Sequence, residues 1–128
     1  MSNKNSSANN GYNNGSVMKE VQDNLEFKII SGELSPGDKF PPIRDLAESY
    51  NIGTSTAQMI VNNLSSDDII VKKRGVGFFV KPFVKGKLME KHIAECKKMF
   101  KRAIEYAVKL GLDSKAIVAE LLEGDKEE

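Results

Sequence analysis

Three sets of side chains in this 128-residue sequence have types and spacings that could do chemistry. Thr54, Ser55, Thr56, Gln58, Met59, Asn62 and Asn63 fall on one face of a helical pattern beginning near Thr54, and no carboxylate is among them. Hydroxyls at a helix N-terminus, beside free amides and the positive end of the dipole, bind phosphate oxygens. A Gln amide in a major groove pairs bidentately with adenine. Lys72-Lys73-Arg74 comes just before Gly75-Val76-Gly77, so cations precede glycines whose missing side chains let backbone approach a groove closely. Arg44 is suited to a phosphate or a guanine edge. The chemistry common to all three sets is contact with double-stranded DNA.

Other chemistries are weaker. His92 and Cys96 lie four apart on a helical pattern and could share a metal, but no second ligand pair accompanies them and both fall on an apolar stripe, so packing is the expected role. Met89, Met99 and Phe100 read as interface, and Tyr50 and Tyr106 as core edges with solvated hydroxyls. There is no phosphate loop ahead of a helix, no zinc spacing and no nucleophile–base–acid arrangement, so neither an enzyme nor a cofactor nor a metal is expected.

The elements that must position these residues follow from periodicity. Residues 1–16 are Asn-, Ser- and Gly-rich and read as a disordered tail. Val17, Met18, Val21, Leu25 and Ile29 recur at spacings of three and four, which predicts a helix ended by Ser31-Gly32. The run LSPGDKFPP predicts a turn and a short extended stretch. Pro42 suits a first helical position, and Ile43, Leu46, Ala47 and Tyr50 stripe a second helix. Ala57, Ile60, Val61 and Leu64 form the inner face of a third. IIVKKRGVGFFVK then reads as a β-hairpin. Apolar stripes predict two more helices, about 86–111 and 114–123, separated by Gly111.

Helix, short helix, break, helix and basic hairpin is the order of a winged helix-turn-helix. The segments SGELSPGDKFPPIRDLA, YNIGTSTAQMIVNNL and RGVGFFV resemble the GntR family of bacterial regulators over roughly residues 17–80. The resemblance implies DNA contact by Arg44, Thr54, Ser55, Thr56 and Gln58, with Lys73, Arg74 and Gly75 at the wing tip. The family usually has Ser where Pro42 stands, which removes a side-chain cap here. It often has Arg or Pro at the position of Thr54 and frequently Arg at or beside Met59, so guanine reading is weakened. Asp68 replaces a usual Gly at a helix exit, a position Asp tolerates. The short C-terminal helices are similar to those of the YtrA-type subfamily, where they imply homodimerisation.

The expected architecture is therefore α+β: a winged helix-turn-helix domain at 17–81 (three helices plus a β-hairpin wing), then a two-helix dimerisation segment at 86–123. The expected function is sequence-specific DNA binding as a homodimeric repressor on a near-palindromic operator. Net charge is +1, with nine basic against nine acidic residues in 17–86 and the same balance in 87–128, so any electrostatic footprint must come from placement. No apolar run is long enough for a membrane span and no signal peptide is read, and the single cysteine suits a reducing cytoplasm. Two rival readings stay open: a winged helix used for protein–protein contact, and a sensor with a small-molecule effector between the C-terminal helices near His92, Cys96 and Phe100.

Overall fold

The stripe expected from Val17 onward lies on a helix, α1 (Asn10–Ser31), in the computed structural model, which describes residues 10–127 and the side chains of residues 16–124. The expected tail is therefore shortened. Residues 1–9 lie outside the described residues, and the backbone of 10–16 is helical. Asn and Gly are poor helix formers, but extending a helix costs far less than starting one. Val21, Leu25 and Ile29 anchor α1 in the core, so the first turns extend a helix already held further along.

The chain continues through α2 (Ile43–Tyr50), α3 (Thr54–Ser66), β1 (Ile70–Lys73), β2 (Gly77–Val80), α4 (Lys85–Lys109) and α5 (Ser114–Glu127). This is the α+β winged helix-turn-helix expected. Three of the helices stop by one device. Asn51, Asp68 and Gly111 adopt φ of 53°, 61° and 73°. In each case the amide of the next residue reaches back five residues: Ile52 to the Ala47 carbonyl, Ile69 to Leu64 and Leu112 to Ala107, at 3.0, 2.9 and 2.9 Å. This is the Schellman arrangement, in which a left-handed residue satisfies the last carbonyls and folds an apolar residue back onto the helix. Asp68 thus adopts the left-handed turn that its sequence position required. Pro42 (φ −65°) stands one position earlier than expected, at the N-cap of α2, and supplies no side-chain cap.

The hairpin closes through Arg74-Gly75-Val76. The Val76 amide donates to the Lys73 carbonyl at 2.9 Å, and Gly75 carries φ +74°, as the third residue of a type II turn must. Ile70 pairs with Val80 and Lys73 with Gly77. A second edge was not anticipated. Residues 37–40 run along the far side of β2: Gly37 donates to Val80, Val80 to Asp38 and Phe40 to Phe78, at 2.8, 3.0 and 2.7 Å. The turn at Ser35–Asp38, with Gly37 at φ +90°, delivers that segment, so β2 is bonded on both sides.

The chain separates into two compact units, the first ending at Leu88 and the second beginning at Met89. The first has one core, in which Leu25, Phe40, Leu46, Ile60, Leu64 and Ile70 are essentially inaccessible. Val84 and Leu88 join it, so this unit runs past the boundary at 81 expected from sequence. Glu26 is the one buried charged residue among those described, and it accepts from Gln22 Nε2 at 3.1 Å. The second unit holds α5 and most of α4. Among the described residues no helix is long and apolar enough to cross a membrane.

Candidate nucleic-acid interface

α3 buries Ala57, Ile60, Val61 and Leu64 against α1, α2 and β1. That anchoring fixes which side chains turn outward. Thr54, Ser55 and Gln58 are exposed, as is Asn62; Thr56 is half-buried, and Met59 is 52% exposed. No acidic residue lies in the first turn, and the N-cap is Gly53, without a side-chain bond. The first amides of α3 therefore have no side-chain competitor for an anion. Asn63 has a second task. Its Nδ2 donates to Gln22 Oε1 on α1 at 3.1 Å, so this exposed side chain also braces α1 against α3. Tyr50 is a correction, because its hydroxyl donates to Asn24 Oδ1 at 2.6 Å and is not merely solvated.

Arg44 is exposed in the first turn of α2. Lys72, Lys73, Arg74 and Gly75 are exposed at the hairpin tip. Lys73 Nζ lies 4.4 Å from the centre of the Phe79 ring, a cation–π contact that lays the lysine stem along the sheet while the charge stays accessible. Sequence reading missed Lys39. It pairs with Phe79 across the unexpected edge and lies over Gly77, where an added Cβ would come within 3.2 Å of Lys39 Cε. Nothing local to Lys39 reveals this, since its neighbourhood depends on β2 accepting a third edge.

These cations share one electrostatic property. The ion pairs among the described residues include Lys19–Asp23, Lys28–Glu33 and Lys81–Asp68. Among the described residues none of Lys39, Arg44, Lys72, Lys73 or Arg74 has an acidic partner. These five are thus among the cations that the first unit leaves without an ion pair among its described residues, Lys85 and Lys87 being others. α2, α3 and the hairpin also border a common cleft of about 230 Å³, lined by Pro42, Ile43, Val61, Val76, Gly77 and Phe78. The wing therefore stands next to the helix pair.

A polar helix face without carboxylates, carried beside a cationic wing in one α+β unit, agrees with the family model that matches residues 18–80, described as bacterial regulatory proteins of the gntR family. Residues 18–80 are a GntR-family domain. The uncharacterised regulator YhcF of Bacillus subtilis is 27% identical over 64 residues, half of this chain and 53% of YhcF. The chain thus spans about half the length of that relative. The transcriptional repressor YtrA of the same organism is 25% identical over 88 residues, 69% of this chain and 68% of YtrA. That stretch is longer than the GntR domain and agrees with the short YtrA-type subfamily. A GntR-family regulator from Listeria monocytogenes superposes with a TM-score of 0.69 over 84% of this chain and 93% of its own, at 23% identity, which establishes the shared fold.

Of the GntR-domain residues singled out for DNA contact, Arg44, Thr54, Ser55, Gln58, Lys73, Arg74 and Gly75 are exposed and Thr56 is half-buried. Where Arg is common in the family, Met59 offers a thioether and Gln58 an amide. The exposed side chains of α3 at these positions carry no charge.

Proposed function

We propose that this protein is a sequence-specific DNA-binding transcription regulator that acts as a homodimer on a near-palindromic operator, repressing by occupancy. The observation carrying this reading is the outward face of α3 beside a wing whose cations have no acidic partner. Thr54, Ser55 and Thr56, with the free amides of the first turn of α3, contact phosphate, while Gln58 biases base choice. Arg44, Lys39, Lys73 and Arg74 set affinity and register, and Gly75 lets the wing tip approach the groove. The second unit supports the dimer, since Met99, Phe100, Ile104, Leu121 and Leu122 are all exposed on α4 and α5. The cleft between those helices, about 140 Å³, is lined by Phe100, Ala103, Ile104, Ala107, Ile117, Val118 and Leu121 beside Ser114. Such a lining suits apolar side chains of a second copy better than a polar metabolite.

The test is retention on duplex DNA at rising salt, followed by selection of bound sequences from a random pool. Retention lost steeply with salt and enrichment of an inverted repeat are the expected results. A protein that binds no duplex at low salt would instead favour the winged helix as a protein-contact module.

A further inference from the structure

One side-chain pair on the outer face of α3 has no structural task. Gln58 Nε2 donates to Asn62 Oδ1 at 2.9 Å, and both residues are exposed. Residues four apart on a helix are neighbours, but an exposed amide pair adds little to helix stability. Among the described residues neither side chain makes another hydrogen bond.

The bond matters for what it leaves available. A free Gln side chain turns about three torsions and can present its amide either way round. With its nitrogen committed to Asn62, Gln58 keeps one N–H and its carbonyl oxygen in a fixed relation. One donor beside one acceptor complements adenine, which offers the N7 acceptor and the N6 amino donor in the major groove. Guanine offers two acceptors there, O6 and N7, and so opposes the Gln58 carbonyl with another acceptor.

We propose that Asn62 is a positioning residue that holds the Gln58 amide to read adenine at one base pair of each half-site. The proposal rests on the DNA-binding reading above and extends it to a stated base. Asn62 acts here as an acceptor, through Gln58, and does not itself touch the base. Preordering the amide removes rotamer entropy that would otherwise be lost on binding.

The experiment uses the full chain as wild type, Gln58→Ala, Asn62→Ala and Asn62→Asp. Each is titrated with the duplex that wild type selects from a random pool, with versions altered at one base pair at a time, and with unrelated DNA. Wild type is expected to select A·T at one symmetric position, and Gln58→Ala to lose that preference. Asn62→Ala should reduce the preference roughly five- to tenfold at that position, leaving affinity for unrelated DNA within about twofold. Asn62→Asp keeps the acceptor oxygen. It should weaken binding to every duplex by adding negative charge, yet retain the wild-type ratio of A·T over G·C.

An unchanged ratio in Asn62→Ala overturns the proposal. So does an equal loss in both Asn62 variants, which would make the Asn62 amide the base reader. Selection of G·C at the position that depends on Gln58 overturns it as well. Wild type that retains no duplex refutes the regulatory reading itself, whereas wild type that binds without preferring adenine refutes only this inference. Both side chains are exposed, so unchanged melting temperatures are expected to accompany the specificity effects.

Discussion

At the scale of single residues, the cations of the candidate interface make separable predictions. A lysine or arginine that neutralises one phosphate contributes about one unit to the slope of log affinity against log salt. Arg44→Ala and Lys39→Ala should each weaken binding to all duplexes and lower that slope by about one, measured by titration at several salt concentrations. A loss confined to one base pair would make Arg44 a base reader instead. Phe83 gives a prediction of another kind. It is 95% exposed and adopts φ +62°, a region that costs a non-glycine residue about 1–2 kcal/mol. Within the chain its ring gains almost nothing from burial. Phe83→Gly should therefore stabilise the domain by about 0.5–1 kcal/mol once the greater freedom of glycine in the unfolded chain is offset, read as a higher urea midpoint. A lowered midpoint would mean that the ring is covered in the assembled protein. Residue roles were legible where a side chain's fate depends on its own helix: Ala57, Ile60, Val61 and Leu64 point inward because α3 has 3.6 residues per turn. They were illegible where a distant partner decides, as when Gln22 claims Asn63 and Asn24 claims the Tyr50 hydroxyl.

At the scale of elements, the wing depends on glycine geometry more than on its charges. Gly77 has φ +137°, which other residues rarely adopt, and a Cβ there would meet Lys39 Cε at 3.2 Å. Lys39 can swing aside, but the backbone conformation has no such remedy. Gly77→Ala should destabilise the domain by about 1–3 kcal/mol and weaken DNA binding although no charge is lost, as denaturant melts and duplex titrations would show. An unchanged melt would mean that the hairpin relaxes at no cost. α3 is positioned differently, by burial. Leu64→Ala empties a fully buried site and should cost about 2–5 kcal/mol, read from the same melts. Its DNA affinity, measured on the folded fraction, should stay near wild type. Most of this was visible in the chain beforehand. Apolar spacing located α2 and α3, and Asn51, Asp68 and Gly111 marked their exits or that of α4. The second edge on β2 was not visible, because residues 37–40 carry a turn signal and no strand-like alternation. Their pairing comes from the Pro36-Gly37 turn aiming three amides and carbonyls at a strand forty residues later.

At the scale of the whole molecule, the second unit poses the main energetic question. Phe100 and Leu121 are 59% and 64% exposed, and together with Met99, Ile104 and Leu122 they place more apolar surface in water than a two-helix unit this small can bury by itself. A stable interface needs about 1,200–2,000 Å² in total, and a two-fold axis would supply it by presenting the same faces of α4 and α5 to each other. If so, the protein should sediment as a dimer at micromolar concentration and melt at a temperature that rises with concentration. A Phe100→Asp, Leu121→Asp double variant places four carboxylates in the interface of the proposed dimer and should sediment as a monomer. Both positions lie outside the GntR domain, so a single half-site should bind the variant about as well as it binds one wild-type subunit. Affinity for the full inverted repeat should fall by about 10²–10⁴, the gain that linking two binding modules confers. The pattern across the two duplexes is diagnostic. An equal loss on half-site and full site would mean that the substitutions damaged the GntR domain, whereas a wild type that stays monomeric would remove the reason for expecting a palindrome at all.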